Sequence, residues 1–298
     1  MFKKIFHTTI MVSMIAVPTY FFMQGYSGKE AVDKTVVLTE DEELENENTL
    51  EQKLMSFTIE GGSPKGARQW HLEAVSADIV GEQIHLETLK VISYSENSTS
   101  TLTSDKGIYH RDKGEIELIG NVKAVSEDGA ILTTDYAKWK HSTKDIDTDS
   151  FVQINHRSMT AVGEGARANS EKRTAVLKKD VEVMIEPNTK IECDGSLNVN
   201  YEENTAVFHE NVRIDDNEGE LFADKLTAYF DPEKKCLDRA VAEGNVKIQK
   251  GESFSISEKA VYTGSTKSAK LLGRPRIILD PQQLSEMDGV GDNVEGGI

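Results

Sequence analysis

Six acids recur in this chain at nearly equal intervals: Asp105, Asp135, Glu164, Asp194, Asp224 and Glu258, separated by steps of 30, 29, 30, 30 and 34 residues. Carboxylates supply general acid–base catalysis, attack glycosidic carbons and bind hard cations. A catalytic pair, however, puts two carboxylates into one site and gives them different environments. One acid per repeat, always in an equivalent setting, implies equivalent structural work such as accepting turn or capping hydrogen bonds. The settings are alike: Ser104-Asp105-Lys106-Gly107, Thr134-Asp135-Tyr136-Ala137, Gly163-Glu164-Gly165-Ala166, Cys193-Asp194-Gly195-Ser196, Ala223-Asp224-Lys225-Leu226 and Ser257-Glu258-Lys259-Ala260.

The other candidate chemistries fail on spacing. Asp145-Ile146-Asp147-Thr148-Asp149 begins like a calcium loop, but Ser150 takes the place of the glycine the sharp turn needs and His156 that of the bidentate glutamate. No Gly-x-Ser-x-Gly elbow offers a serine nucleophile, and no Gly-x-x-x-x-Gly-Lys-[Ser/Thr] loop offers a nucleotide site. The seven histidines are scattered; His71 and His85 fall on polar strand faces, and His156 and His209 near strand ends. Cys193 and Cys236 fit an oxidising compartment, and whether they pair depends on a register the sequence leaves open. Neither cysteine has metal-ligand spacing to another ligand, so no metal and no cofactor is expected. The net charge of -17 excludes a nucleic-acid backbone as partner, because phosphate binding needs a basic face.

The acids are positioned by strands. In phase with them runs a second motif, a short polar residue followed by alternating apolar ones: Gly120-Asn121-Val122, Ser150-Phe151-Val152-Gln153-Ile154, Asp180-Val181-Glu182-Val183, Asn211-Val212-Arg213-Ile214 and Gly244-Asn245-Val246-Lys247-Ile248. Apolar and polar residues alternate from about Leu54 to Leu279, as in Trp70-His71-Leu72-Glu73-Ala74, so strands bury one face only. Turn signals punctuate them at Lys113-Gly114, Asp128-Gly129, Asn217-Glu218-Gly219, Asp231-Pro232 and Lys250-Gly251. Each repeat of about thirty residues holds at least two strands, and stacking them predicts an all-β, elongated, twisted β-jellyroll. Its inward set is Val122, Val152, Ile154, Val181, Val183, Val212, Ile214, Val246 and Ile248.

At the N-terminus, Lys3 and Lys4 precede an uncharged, mostly apolar run from Ile5 to Met23. Nineteen helical residues at ~1.5 Å each reach roughly 28 Å, close to the ~30 Å hydrocarbon core of a bilayer. Residues 1–24 are therefore expected to form one transmembrane helix, with the lysines on the cytoplasmic side. A cleaved signal peptide is the competing reading, with Gly25-Tyr26-Ser27 the only approximation to a cleavage site. Residues 25–53, which hold the acidic run from Glu40 to Glu51, are expected to be a flexible linker, and 281–298 a disordered tail.

The coupling of Asp105-Lys106-Gly107 with Gly120-Asn121-Val122-Lys123, and of Asp224 with Gly244-Asn245-Val246-Lys247, resembles the OstA-like repeat of the lipopolysaccharide-transport proteins. The membrane segment followed by Trp70-His71-Leu72-Glu73-Ala74 resembles the LptC type, and the later repeats the soluble LptA bridge. On this resemblance 54–280 is one jellyroll, LptC-like over 54–160 and LptA/OstA-like over 161–280. Ser150 and Arg274 depart from the pattern by replacing its asparagine, and Asp180 substitutes for it. The resemblance implies a single-pass inner-membrane protein with its bulk in the periplasm and no enzymatic activity. It would accept lipopolysaccharide from the permease and ATPase subunits of an ABC transporter, and pass it to a periplasmic bridge protein reached by edge-strand pairing. The lipid would run along a groove lined by Val122, Val152, Val181, Val183, Val212, Ile214, Val246 and Ile248. Two other classes are set against this reading: an adhesive β-solenoid binding surface polysaccharide, and a polysaccharide-cleaving enzyme on a β-helix.

Overall fold

The structure is a computed structural model that describes residues 35–38, 52–62, 68–94, 99–126, 129–140, 143, 145–169, 172–233 and 236–279. Among the described residues there are eighteen strands. The first nine are β1 Thr35–Leu38, β2 Gln52–Gly62, β3 Arg68–Val80, β4 Gln83–Tyr94, β5 Thr99–His110, β6 Glu115–Ser126, β7 Ile131–Lys140, β8 Asp145–His156 and β9 Met159–Asn169. The remainder are β10 Thr174–Ile185, β11 Thr189–Cys193, β12 Leu197–Asn200, β13 Thr205–Asp216, β14 Gly219–Asp231, β15 Cys236–Lys250, β16 Ser253–Thr263, β17 Ser268–Leu272 and β18 Arg276–Ile278.

Strands pair antiparallel with their sequence neighbours except β11 with β12 and β17 with β18, which lie end to end, so the described residues form a meander. The hairpin connections fall where the turn residues placed them, at Arg111–Gly114, Asn217–Glu218 and Gly251–Glu252. Gly114 and Gly251 carry φ of +64° and +58° there, a region open to glycine without a Cβ penalty. Within the expected linker, Thr35–Leu38 forms β1 against Phe57–Glu60 of β2. The expected membrane helix and tail lie outside the described residues.

A flat meander would leave its apolar face wet. This one is creased instead. β10 pairs with β11 through Val181–Ile185 and with β12 through Thr174–Leu177, so two short strands separated by Asp194-Gly195-Ser196 do the work of one bent strand. β16 likewise pairs with β17 on one side of the bend and with β18 on the other. In β13 the bend is made by Glu210 and Asn211, at φ of 66° and 51°, and the ladder to β14 slips between His209 and Val212. Buried Ala206 and Phe208 precede it; buried Val212 and Ile214 follow it. The two arms thus keep their apolar faces toward each other, and residues of both enter one hydrophobic core.

Two cores result. One is built on Phe57, Leu72, Leu86, Leu89, Leu118 and their neighbours from β2 to β7. The other runs from Val152 to Ala260, with Phe208 fully buried at its centre. Their boundary lies between β7 and β8.

Candidate functional site

The crease explains three of the six recurring acids. Asn121 donates its amide to Asp105 at 2.8 Å, Asn211 to Asp194 at 2.7 Å and Asn245 to Asp224 at 2.9 Å. Each asparagine sits in the left-handed region, at φ of 46°, 51° and 46°, where asparagine is tolerated better than most residues. The preceding Gly120 and Gly244 are both at φ 77°. A Cβ on Gly244 would stand 2.2 Å from the nearest Asp224 oxygen, so the acid occupies the space that only glycine leaves. The carboxylates are ties across the bend, the structural role the even spacing implied. Where the asparagine is replaced, Asp180 and Arg274 keep the left-handed bend at φ of 50° and 54°, and Asp180 takes Lys179 as its partner at 2.8 Å.

Ser150 differs. It is not left-handed, and its N–H donates to Thr148 Oγ1 at 3.1 Å. At this level the ladder is interrupted: β7 and β8 pair through Ile131–Thr133 and again through Lys138–Lys140, but not between. The interruption coincides with the boundary of the two cores and with a narrow apolar groove that opens to solvent. Its walls come from β5 to β10 and β12, and they are rich in alanine: Ala124, Ala130, Ala137, Ala161, Ala166, Ala168 and Ala175. Small side chains facing each other across a trough leave it unfilled, whereas Phe208 and Leu226 farther on close it. Tyr201 stands at the β12 end; burial pushes its hydroxyl well above the usual tyrosine range.

Outside the break lies a polar pocket lined by Tyr136, Lys138, Asp147, Thr148, Asp149 and Ser150, which shares Asp147 and Thr148 with the groove. Lys178 bridges Asp147 at 3.0 Å and Asp149 at 2.6 Å, and Arg167 holds Asp147 at 2.7 Å. Burial alone would raise the Asp147 pKa, but hydrogen bonds from Lys178 and Arg167 outweigh it and hold the carboxyl below its usual range. Next to it, the amide of Asn169 holds Asp145 below the usual range as well, at 2.7 Å. These ion pairs take over where the asparagine tie is missing.

The eight residues expected to line a groove are placed as follows. Val122 and Val152 border the groove. Val181, Val183, Val212, Ile214 and Val246 are buried in the filled core beyond it, and Ile248 packs against that core half-buried. Leu102, Leu132, Ala161 and Leu177, which also line the groove, escaped sequence reasoning; the signal was the density of alanines at inward positions of β6 to β10.

Burial, and after it the charge of Glu218 in the turn between β13 and β14, raise the Tyr262 hydroxyl of β16 above the usual tyrosine range. Both thiols are free, Cys193 buried beside the crease and Cys236 half-buried at the far end of its strand, so they do not pair. Among the described residues no group of three or more His, Cys, Asp or Glu side chains is arranged to hold a metal. Also among them, no helix is long and apolar enough to cross a membrane.

A meander creased along one line, tied by Asp–Asn pairs and lined with aliphatic side chains, defines an elongated β-jellyroll whose distinctive surface is its interior. Residues 14–186 match the family described as lipopolysaccharide-assembly, LptC-related. Residues 190–290 match the family described as LptA/(LptD N-terminal domain) LPS transport protein. The first match spans more than half of the chain, which therefore belongs to the LptC-related lipopolysaccharide-assembly family and has a role in lipopolysaccharide transport. Among solved structures it is similar to LptH of Pseudomonas aeruginosa, the LptA-homologous periplasmic component of the lipopolysaccharide transport device. That likeness has 14% identity and a TM-score of 0.35, covering 41% of this chain and 95% of that one. No match is found among curated proteins.

Proposed function

We propose that this chain is a non-enzymatic periplasmic carrier held at the inner membrane. In this reading it accepts lipopolysaccharide from an ABC transporter and passes it along the jellyroll interior toward the outer membrane. The observation that carries the reading is an aliphatic groove whose walls come from both the LptC-like and the LptA-like segments of one meander. Burying a methylene gains about 0.8 kcal/mol, so a twelve-carbon chain exposed to water costs on the order of 10 kcal/mol relative to such a trough. The lipid therefore needs a sheath to cross an aqueous compartment. The chain has no phosphate-binding loop, so energy for directional movement would come from the transporter's ATPase subunits. The acyl route would include Val122 and Val152 at the open groove. It would include Val181, Val183, Val212, Ile214, Val246 and Ile248 once the arms part. The LptC-like and LptA-like parts would meet near residue 160 or, by the family matches, in the turn between residues 186 and 190.

The downstream partner would be a bridge protein added at the terminal edge. There, among the described residues, β17 and β18 pair only with β16, and Leu272, Ile277 and Ile278 are exposed on that edge. Unpaired strand edges of this kind accept a further strand.

The test is co-elution of purified full-length protein with lipopolysaccharide, in competition with the same polysaccharide stripped of its acyl chains. Retention of the intact lipid with no competition by the stripped sugar supports the carrier. Equal competition by the sugar would transfer the function to the outer surface, as in an adhesive solenoid.

A further inference from the structure

We propose that Trp70 and Trp139 form a clasp that holds the free ends of the two arms together over the first core, and that this clasp parts when a lipid acyl chain is loaded. This rests on the carrier reading and adds a gate to it. The chain has two tryptophans, and they meet. Their ring centroids lie 6.3 Å apart with the planes at 88°, the edge-to-face arrangement that aromatic pairs favour. The contact joins opposite arms. Trp70 of β3 lies on the cross-strand row that continues through Ser93, Ser100 and Ser126. Trp139 of β7 lies on the row that runs back through Ile116, Tyr109, Ile84 and Ile79. The bend separates these rows: in β4 it falls at Thr88, with φ of 53°, and in β6 at Asn121.

Position decides what the pair can do. Leu72, Leu86, Leu89 and Leu118 of the first core are fully buried, whereas the two indoles pack against that core half-buried. Asn121 ties Asp105 at the crease, so the arms pivot there and their free ends travel farthest. Trp70 stands five residues from Val75, which lies level with the β4 bend, and Trp139 stands four from Asp135. At ~3.3 Å per residue these are levers of roughly 13 to 16 Å. An opening of about 15° then lifts the mouth by ~4 Å, the contact distance of two carbon atoms, and lets a hydrocarbon chain slip between the rings. An edge-to-face pair favours the closed state by about two- to tenfold. That is enough to bias an empty mouth shut and little enough for a lipid to overcome. An inserted acyl chain replaces the lost ring contact with its own, so loading selects the open state.

Because the two tryptophans are in contact, their coupling is readable in purified full-length protein as an exciton couplet in far-ultraviolet circular dichroism. Trp70→Leu and Trp139→Leu should each abolish it while keeping an apolar side chain. Lipopolysaccharide should diminish the couplet of the native protein, and the same polysaccharide stripped of its acyl chains should not. In stopped flow with lipopolysaccharide carrying a fluorophore on its sugar, both variants should load about two- to tenfold faster than the native protein, an acceleration that lost core packing does not produce. The variants alter opposite arms, so a folding defect in one leaves the other to answer. A couplet absent from the free protein, a couplet that persists in the loaded protein, or an unchanged loading rate would each overturn the clasp and leave the carrier reading standing. Native protein that retains no lipopolysaccharide would overturn the carrier reading, and the clasp with it.

Discussion

The glycine before each asparagine offers a quantitative test of the crease. In Gly244→Ala the new Cβ would lie 2.2 Å from Asp224 Oδ2, 2.8 Å from its Cγ and 2.9 Å from its Cβ, so rotating the carboxylate does not clear the contact. At φ 77° the alanine also meets the left-handed penalty, roughly 1–2 kcal/mol. Moving Asp224 away breaks the Asn245 hydrogen bonds, at 2.9 and 3.2 Å, which for an exposed charge-assisted pair is worth about 1–2 kcal/mol. The total is about 2–4 kcal/mol. In an Asp224→Ala background the hydrogen bond and the collisions with Oδ2 and Cγ are absent, and the 2.9 Å approach of the retained Cβ remains beside the backbone cost of about 1–2 kcal/mol. Gly81, at φ 59° with nothing within 4 Å of a Cβ, supplies the control: Gly81→Ala should cost the backbone component alone. Because stability in a stacked array is local, the assay is native-state hydrogen exchange on β14 and β15 peptides, which reads the opening free energy at the site. A coupling of about 1–2 kcal/mol between positions 224 and 244 is expected. Gly244→Ala costing the same with and without Asp224 would show that the acid does not dictate the glycine.

Other consequences concern the core, the thiols, the break and the edge. Phe208→Ala should destabilise the second core by about 3–5 kcal/mol, seen as a lower urea midpoint, because a fully buried ring leaves a cavity; an unchanged midpoint would mean the trough there is not filled. Burial pushes the Cys193 thiol up to about 11, so at pH 8 its thiolate fraction is on the order of a hundredfold below that of an ordinary thiol. One fast and one slow equivalent should therefore react with a thiol reagent in the native protein and two fast ones in urea, whereas two fast ones in both would refute the burial. Asp147 and Asp145 are held below their usual pKa, so the stability they contribute is complete above the unfolded value of ~3.9 and is lost as pH falls through the lower folded values. Exchange in β8 and β9 should accelerate over that acid window in the native protein but less in Asp147→Asn, and a pH response unaffected by that substitution would contradict the assignment. Ile277→Pro, in a strand that among the described residues pairs only with β16, should weaken assembly with a downstream bridge while the monomer stays folded; undiminished co-purification would count against edge pairing.

Strand alternation and the thirty-residue period made the all-β stack legible, because both follow from a strand's two-residue repeat and from equivalent units burying one face. The structural role of the acids was legible too, since equivalent spacing excluded a catalytic pair. Their partners were not. Nothing in the one-dimensional pattern said that Asn121 reaches back across the crease to Asp105, sixteen residues earlier, although both motifs had been recognised. The replacement of asparagine at Ser150 was visible as a departure, but its consequence, a gap in the ladder and a groove, depends on what neighbouring strands do when one tie is missing. The groove itself was hidden because sequence reasoning looked for large apolar residues as its lining. Val181, Val183 and Val212 fill the trough, and alanines such as Ala124 and Ala168 leave it open. The thiols remained undecided for the same reason: the register placing Cys193 at the crease and Cys236 at a strand end emerges only when the meander is folded.

The most direct measurement of the central claim is photo-crosslinking in living cells from Val152, which borders the groove and was already expected to face inward. A lipopolysaccharide adduct that disappears when ATP is depleted is the predicted result, since it places the lipid inside the jellyroll and ties its arrival to a transporter. A folded, membrane-associated protein that yields no such adduct from Val152 or from Val122 would contradict the interior route.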